Sequence, residues 1–322
     1  MSETAREIRI NRFGPPEVLE LTASTRPAPG PGQALVEVHA IGVNYMDVST
    51  RQGFNPTLTL PATLGVEGSG TVKALGDDVD DLHVGQRVAW YYVPGSYTDL
   101  LLAPADALVP VPDHIDHDTA AGLLMQGLTA QHLARYAHTG GTALVHSAAG
   151  GVGSLLTQLL AASGITVLAR VSAPEKAETA RRAGASHVIV DRAGRFAEEV
   201  RELTEGRGVD IVYDGTGAET YRDSLACLSA HGTYAYYGGA DAQPDPIRLA
   251  ELPGSVLLTH PIVMDHVPTR RTLLDNAARL FTAVSDGRLR LTLGGVHPLD
   301  RADQAHRALE SRGTIGKLLL RP

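Results

Sequence analysis

The sequence predicts an α/β protein with a doubly wound parallel sheet in its middle part and a β-rich region before it. Between residues 143 and 259, short apolar runs alternate with segments of helical spacing, which is typical of a parallel sheet covered by helices on both faces. The first third instead has short strand-like runs separated by Pro and Gly, as in Pro27–Gly32. The 322 residues exceed one ordinary core and are enough for two domains.

Hydrophobic spacing sets the individual elements. In the first third, strands are predicted over Arg6–Arg12, Ala34–Ala40, Gly70–Leu75, Arg87–Tyr92 and Asp99–Ala103. A long helix follows over Thr119–Ala137. The alternating part has strands at Ala143–His146, Ile165–Arg170, His187–Val190, Val209–Tyr213, Thr233–Tyr237 and Val256–Thr259, and helices at Ser154–Ser163, Ala173–Ala183, Arg195–Glu205 and Tyr221–Ser229. The C-terminal part has helices Thr269–Gly287 and Asp300–Ser311 and the strand Lys317–Leu320.

Composition excludes several classes of protein. The formal net charge of -8 argues against binding to nucleic acid, which needs a basic face. A single cysteine, Cys227, cannot form an internal disulfide or a zinc site built mainly from cysteine. No run of about 18 apolar residues predicts a membrane span, and Met1–Ile10 lacks the apolar segment of a signal peptide. We therefore expect a cytoplasmic protein without a membrane partner.

A glycine-rich segment between a strand and a helix predicts a dinucleotide site. With Ala148 in the first glycine position, Gly150 and Gly153 complete the spacing of the dinucleotide fingerprint. Small residues let the backbone approach a pyrophosphate, whose charge then faces the N-terminus of the helix. The alternative is a tight turn that binds no ligand. The expected cofactor-binding residues in this loop are Ala149, Gly150, Gly151, Val152 and Gly153.

The end of the second strand of this region favours NADPH over NADH. An NAD site expects Asp or Glu there to bind the ribose diol, and this strand ends without an acid. Arg170, Ser172 and Lys176 lie close by and suit a 2′-phosphate. Two alternatives remain open: Ser172 and Glu175 have the spacing of a capping box, and Arg170 is compatible with a solvated surface charge.

Several motifs in order along the chain identify a family. They are Ala40–Asp47 with Arg51 and Gly53, Leu64–Val72, Gly127–Ala130, Ala148–Gly153, Val212–Gly217 and Ala308–Lys317. With these motifs the chain resembles the quinone oxidoreductase (zeta-crystallin-like) branch of the medium-chain dehydrogenase/reductases over nearly its whole length. The resemblance implies a Rossmann domain (122–263) inserted into a GroES-like catalytic domain (1–121 and 264–322), with the active site in the cleft between them. It also implies a homodimer, whose contact edge would include Val256–Thr259.

The resemblance also implies a site without zinc. Zinc-dependent relatives bind metal through a Cys and a Gly-His-Glu motif. In this chain Asn44 stands at the position of the Cys, and Val66 stands at that of the His. The Cys-rich structural-zinc lobe is absent. A rival metal site, His114 and His117 in Asp113–Asp118, is more simply a solvated loop because it offers no closed ligand set.

Without zinc to activate an alcohol, conjugate reduction of a quinone or an enone by NADPH is the chemistry we expect. The growing charge on the substrate oxygen needs a hydrogen-bond donor, and much of the catalysis is orientation. The candidate catalytic residues are Asn44, Tyr45, Asp47 and Arg51. Asn44 would contact the nicotinamide ribose or the substrate carbonyl, or else cap its local turn. Tyr45 would donate or stack, with Tyr91 and Tyr92 as alternatives, and we expect Asp47 and Arg51 to form an ion pair.

Four further residues are expected to contact the cofactor. They are Thr129, Gly238, Gly239 and Arg312. Thr129 would alternatively bond within its helix, and Arg312 would alternatively be a surface cation near a helix end. Asp191 departs from the pattern, because some relatives carry Tyr there near the adenosine phosphate. Other functions that remain open are an enoyl reductase of a biosynthetic pathway, an NADPH-binding protein without catalysis and a zinc alcohol dehydrogenase.

Overall fold

The chain forms two compact units in a computed structural model that describes residues 2–193, 195–239 and 243–322. One unit comprises Met1–Met125 and Val267–Pro322, and the other comprises Gln126–His266. The second unit is therefore an insertion in the sequence of the first. The limits of the units fall a few residues after the predicted domain boundaries at 121 and 263.

The first unit is mainly antiparallel. Its strands are β1 (Glu3–Ile10), β2 (Glu20–Arg26), β3 (Gln33–Val43), β4 (Ala62–Thr63), β5 (Glu67–Leu75), β6 (Arg87–Trp90), β7 (Leu100–Pro104), β8 (Leu108–Pro110), β15 (Leu293–Pro298) and β16 (Lys317–Arg321). One sheet has three strands in the order β2-β1-β4, and the other has seven, in the order β15-β16-β3-β5-β6-β8 with β7 also paired to β3. The helices are α1 (Tyr45–Gln52), α8 (Arg270–Ser285) and α9 (Ala302–Glu310); α2 (His117–Ala134) spans the limit between the units.

Alternation of apolar residues places the core of the first unit between its sheets. Ile8 and Ile10 of β1 are fully buried, and they join a cluster with Ile41, Trp90 and Tyr97. Such period-two burial is what a strand with one covered face requires. The last residue of β3, Val43, belongs to the same cluster, and the junction between β3 and α1 that follows it carries the predicted catalytic residues.

The second unit is a six-stranded, fully parallel sheet. Its strands are β9 (Thr142–Val145), β10 (Thr166–Val171), β11 (His187–Val190), β12 (Val209–Asp214), β13 (Leu228–Tyr236) and β14 (Leu257–Thr259). They lie in the order β11-β10-β9-β12-β13-β14, which is the 3-2-1-4-5-6 order of a Rossmann fold and confirms the predicted fold class. The helices are α3 (Gly151–Ala162), α4 (Ala177–Arg182), α5 (Ala197–Leu203), α6 (Tyr221–Ala226) and α7 (Val263–His266).

Several elements differ from the sequence prediction, among them the short helix α1 and the short strands β4 and β8, which were not predicted. The helix expected over Tyr221–Ser229 ends at Ala226, because Leu228 is buried and pairs with Val209 at the start of β13. Strand β2 was not predicted, because none of its residues is buried and its Leu-Thr-Ala-Ser-Thr run has no sustained apolar alternation. Strand β15, with two glycines near its start, was also missed. None of the helices in the described ranges is both long and apolar enough to cross a bilayer.

Candidate functional site

A buried ion pair lies beneath the β3–α1 junction of the first unit. Lys317 begins β16, and its Nζ donates to Glu67 Oε2 at 2.6 Å and to Asn44 Oδ1 at 2.8 Å. The other oxygen of Glu67 accepts from the backbone N–H of Met125 at 2.7 Å. Both charged side chains are almost completely excluded from solvent, with exposures of 2% and 0%. Burial lowers the pKa of Lys317, and the adjacent Glu67 carboxylate opposes that shift.

Gly42 makes room for this pair. A Cβ at that position would lie 2.4 Å from Glu67 Oε2 and 2.5 Å from the carbonyl oxygen of Ala121. The backbone of β3 therefore approaches the carboxylate more closely than any side chain at this position would allow. A glycine directly before Val43 and Asn44 is thus part of how the sequence builds the site.

The orientation of the Asn44 amide follows from its partners. An ammonium group only donates, so the atom facing Lys317 must be the amide oxygen. The amide nitrogen then donates to Glu67 Oε2 at 3.2 Å and to the carbonyl oxygen of Gly42 at 3.3 Å. Because both amide hydrogens are committed within the unit, Asn44 does not supply the donor to a substrate carbonyl that the sequence analysis considered for it. Asn44 also precedes α1, and its backbone N–H donates to Asp47 Oδ2 at 2.9 Å.

The predicted ion pair between Asp47 and Arg51 is wrong. Arg51 is fully buried and pairs instead with Glu310 of α9, at 2.5 Å between Nη2 and Oε1. Asp47 accepts from Tyr97 Oη at 3.1 Å as well as from the Asn44 backbone. Asp47 and Arg51 lie four residues apart on α1, but the packing of α9 against α1 supplies a different carboxylate to Arg51.

A directed chain of hydrogen bonds joins these residues. Arg51 Nη1 can only donate, so His306 Nδ1 accepts from it at 3.1 Å. His306 Nε2–H then donates to Tyr97 Oη at 3.0 Å, and Tyr97 in turn donates to Asp47. Burial and the Arg51 charge lower the pKa of His306 to about 3. Burial raises the pKa of Asp47 to about 7, although the Asn44 N–H and Lys317 act in the opposite direction. Asp47 and Arg51 therefore position the β3–α1 junction.

Acid should destabilise the protein partly through His306. Below about pH 6.5, the unfolded chain protonates this imidazole while the folded chain keeps it neutral until about pH 3. The stability it contributes is therefore lost as the pH falls through that window, by about 1.4 kcal/mol per pH unit. Asp47, whose pKa is raised to about 7, acts in the opposite direction over part of this range, so the test is a comparison of two proteins. In urea denaturation at several pH values, His306→Gln should lose less stability with falling pH than the wild type. An unchanged slope in the variant would contradict the assignment.

Three tyrosines were candidates for the donor or stacking group. Tyr45, the first residue of α1, is 44% exposed. Tyr91 is buried, and burial raises its pKa to about 12, so its hydroxyl stays protonated at neutral pH. Tyr92 is 43% exposed and has a φ of 60°, and its ring centroid lies 6.2 Å from that of Tyr91. Tyr45 combines an accessible phenol with a place directly beside Asn44.

The glycine loop of the second unit has the geometry that a diphosphate needs. Ser147, two residues after β9, turns the chain with a φ of 50°, and Gly150 is the N-cap of α3. A Cβ at Gly153 would lie 2.4 Å from the carbonyl oxygen of Ser147, so the first turn of the helix packs tightly against the loop. A Cβ at Gly151 would meet only the Gln126 side chain, at 2.8 Å. The loop therefore fits a dinucleotide cofactor, with the amides at the start of α3 available to an anion.

The structure gives Arg170 partners that the sequence did not predict. Arg170 is almost completely buried, and its Nε and Nη2 contact Asp191 Oδ2 at 3.0 and 2.9 Å. Arg170 is therefore neither a solvated surface charge nor an open phosphate ligand. The negative charge of Asp191 is balanced by the same contact.

Lys176 Nζ donates to Ser172 Oγ at 3.0 Å, so these two predicted residues do lie together after β10.

The remaining predicted cofactor residues lie in different parts of the chain. Thr129 is on α2, and Gly238 and Gly239 follow β13, where Tyr236 Oη donates to the carbonyl oxygen of Gly239. A Cβ at Gly238 would lie 2.7 Å from the Tyr236 ring. Arg312 belongs to the first unit and has a φ of 56° after α9. Their contacts with a cofactor stay predictions.

Comparison with known proteins places the chain in a family. The Alcohol dehydrogenase GroES-like domain matches residues 30–113, and the Zinc-binding dehydrogenase domain matches residues 151–276. A quinone oxidoreductase of Pseudomonas aeruginosa is 36% identical over 99% of this chain and 100% of its own length. The chain belongs to the quinone oxidoreductase branch of the medium-chain dehydrogenase/reductases. This confirms the family that the sequence motifs indicated.

Two further proteins are similar to this chain over most of its length. A 2-haloacrylate reductase of Burkholderia is 39% identical over 92% of both chains. The quinone oxidoreductase of Escherichia coli, solved in complex with NADPH, superposes with a TM-score of 0.95 at 33% identity and covers 99% of this chain and 100% of its own. The two-unit fold described above is thus that of the family.

Sequence reasoning missed several residues that build the candidate site of this protein. Glu67 and Lys317 were quoted only as parts of motifs, and Tyr97, His306 and Glu310 were not singled out. A detectable signal was present: Lys317 opens the apolar run Leu318–Leu320, and Glu67 stands among Val66, Gly68 and Ser69. Single opposite charges in two buried strands indicate a buried ion pair.

Proposed function

We propose that this protein is an NADPH-dependent reductase that transfers hydride to the conjugated double bond of a quinone or an enone without a metal ion. Its relatives include quinone oxidoreductases and a 2-haloacrylate reductase, which are named for the reduction of conjugated acceptors. The E. coli relative solved with NADPH supports the choice of cofactor. The proposal rests most heavily on the Asn44–Glu67–Lys317 cluster.

That cluster supports chemistry without zinc. Asn44 and Val66 occupy positions where zinc-dependent relatives carry metal ligands, and neither valine nor a fully hydrogen-bonded amide is a good zinc ligand. The carboxylate of Glu67 is already compensated by the Lys317 ammonium and by the Met125 N–H. The protein thus places a fixed, buried cation in this region of the first unit.

The cofactor would be held by the second unit. Gly150, Gly151 and Gly153 would receive the diphosphate at the N-terminus of α3, and Ser172 and Lys176 would receive the 2′-phosphate. When bound, the reduced nicotinamide supplies the hydride. The protein supplies orientation and a hydrogen-bond donor for the substrate oxygen. Since Asn44 has no amide hydrogen to spare, we assign that donor to the hydroxyl of Tyr45.

The Tyr45 assignment predicts a loss of turnover. Tyr45→Phe keeps the ring but removes the donor, so kcat should fall by roughly 10–1000-fold, the range seen when one oxyanion donor is removed. Binding of NADPH, measured by fluorescence titration, should change little. Tyr92→Phe, which removes the hydroxyl of a second exposed tyrosine of the first unit, serves as the matched control. If only the control variant loses activity, the donor is Tyr92.

An acceptor panel tests the function itself. Purified protein would be mixed with NADPH and with quinones, cyclic enones, 2-haloacrylates or enoyl thioesters, and loss of nicotinamide absorbance would be followed. We expect the highest kcat/KM with a quinone or an enone. Activity only with 2-haloacrylates would move the function to that of the Burkholderia relative. Binding of NADPH without reduction of any acceptor would contradict the proposed activity.

We also propose that the protein is a homodimer joined along β14. This strand lies at the edge of the parallel sheet, and its Leu257 and Leu258 side chains are 63% and 43% exposed. An apolar edge strand with unpaired backbone groups is a typical surface for strand pairing with a second copy. Leu258→Glu should therefore give monomers in analytical ultracentrifugation where the wild type gives dimers. A monomeric wild type would contradict the proposal.

A further inference from the structure

We propose that the Asp191–Arg170 ion pair determines how strongly the protein prefers NADPH over NADH, with Arg170 acting by neutralising Asp191 and not by touching the 2′-phosphate. This inference rests on the proposed cofactor and adds the residues that discriminate between its two forms. Three observations support it. The pair lies at the edge of the sheet where the cofactor is expected, each guanidinium nitrogen of Arg170 already contacts a residue of the protein, and removal of either partner leaves one unbalanced charge.

The position of the pair places it beside the expected adenosine end. Arg170 lies in the last part of β10, next to Ile189 of β11, and Asp191 follows directly after β11. The carbonyl oxygen of Arg170 accepts from the N–H of Ala148 in the glycine loop at 3.1 Å. In open parallel sheets, ligands bind outside the carboxyl ends of the strands. A carboxylate at this edge therefore acts directly on the charge of a bound nucleotide.

The guanidinium of Arg170 is fully committed within the second unit. Nε and Nη2 contact Asp191, and Nη1 contacts His146 Nδ1 at 3.3 Å. One face of the group lies over the Phe196 ring, 4.9 Å from its centroid. Because only 9% of the side chain is exposed, Arg170 has no open edge to offer a phosphate.

His146 cannot replace Asp191 as the counter-charge. The Ser224 hydroxyl donates to Asp214 at 3.0 Å, so His146 Nε2–H donates to Ser224 and its Nδ1 accepts from Arg170. Burial lowers the pKa of His146 to about 4, which keeps it neutral at pH 7. Asp191 is thus the direct anionic partner of Arg170, and Arg170 lowers the pKa of Asp191.

Removing one partner at a time should change cofactor choice in opposite directions. Without Arg170, an ionised Asp191 repels the 2′-phosphate of NADPH, whereas NADH has no such group. Without the Asp191 charge, the Arg170 cation attracts the 2′-phosphate. Lys176, which follows β10 and contacts Ser172, also remains as a cation at the expected binding edge. Both effects are electrostatic, so they should weaken at high salt.

A double-mutant cycle tests this inference, with dissociation constants for NADPH and NADH measured by fluorescence titration and melting temperatures measured alongside. Arg170→Met should weaken NADPH binding at least tenfold, about 1.4 kcal/mol, and change NADH binding less than about threefold. Asp191→Asn should tighten NADPH binding. The double variant Arg170→Met/Asp191→Asn should bind NADPH within about threefold of wild type. Arg182→Met, which breaks an exposed pair with Glu178, is the matched control and should change neither constant.

Three outcomes would overturn the inference. If the double variant binds NADPH as weakly as Arg170→Met, Arg170 contacts the phosphate itself. If Arg170→Met weakens NADH and NADPH equally, the pair only supports the fold. If Asp191→Asn weakens NADPH binding, Asp191 is a direct ligand. Failure of the wild type to bind either nucleotide would instead contradict the proposed function, and it would be seen before any variant is made.

Discussion

Lys317→Met should destabilise the protein by about 3–5 kcal/mol, the usual cost of leaving one member of a buried ion pair without its partner. The carboxylate of Glu67 would remain in an almost fully buried site, with the Asn44 amide and the Met125 N–H as its remaining partners. Chemical denaturation of wild type and variant measures the loss. The same variant should have lower reductase activity, because Asn44 loses its contact with Lys317 and directly precedes the proposed donor Tyr45.

A second variant separates charge from packing. In Lys317→Met/Glu67→Gln the unpaired carboxylate is gone. If the Asn44 amide rotates, its Oδ1 can accept a hydrogen bond from the amide nitrogen introduced at position 67. Most of the lost stability should therefore return, while activity should not. Lys73→Met, which breaks an exposed pair with Glu3, is the control and should leave stability unchanged. If the single and double variants are equally unstable, the buried charge is not the cause.

Gly153→Ala should abolish tight binding of NADPH, with a loss of at least tenfold in affinity. The added Cβ would stand 2.4 Å from the carbonyl oxygen of Ser147, and this atom belongs to the turn that would receive the diphosphate. Relieving such a backbone contact moves the loop and costs about 1–3 kcal/mol of stability. Isothermal titration calorimetry with NADPH measures the affinity.

Gly151→Ala is the comparison for this experiment. It adds the same methyl group to the first turn of the same helix, but its contact at 2.8 Å is with the Gln126 side chain and not with backbone atoms of the loop. Its NADPH affinity should fall less than that of Gly153→Ala. An equal loss of NADPH affinity in both variants would show that the loop tolerates no Cβ at all. If Gly153→Ala binds NADPH as tightly as the wild type, the assignment of the loop to the diphosphate is contradicted.

The fold was predictable because its signals are local. The strands of the second unit are apolar runs between helices, and the fingerprint around Gly150 marks the start of α3. Elements with weak local signals were missed: β2 is half-exposed and polar, and β15 contains two glycines. Both strands are held by their partners β1 and β16, so neither depends on its own hydrophobic pattern.

The site was less predictable because its contacts join distant parts of the chain. Sequence reasoning chose Asn44, Asp47 and Arg51 from one motif and expected the last two to pair within one loop. Arg51 and its partner Glu310 lie 259 residues apart in the sequence. Asn44 and Lys317 lie 273 residues apart. Neither periodicity nor a local motif carries that information, and only a lone charge within an apolar strand hints at it.

We propose that protein groups, without a metal ion, support hydride transfer from NADPH to a conjugated acceptor. The most direct test is to dialyse the purified protein against a chelator, measure its residual metal, and assay it with NADPH and the best quinone or enone of the panel. We expect full activity in protein that holds far less than one metal ion per chain. Activity that is lost with the metal and restored by zinc would contradict it.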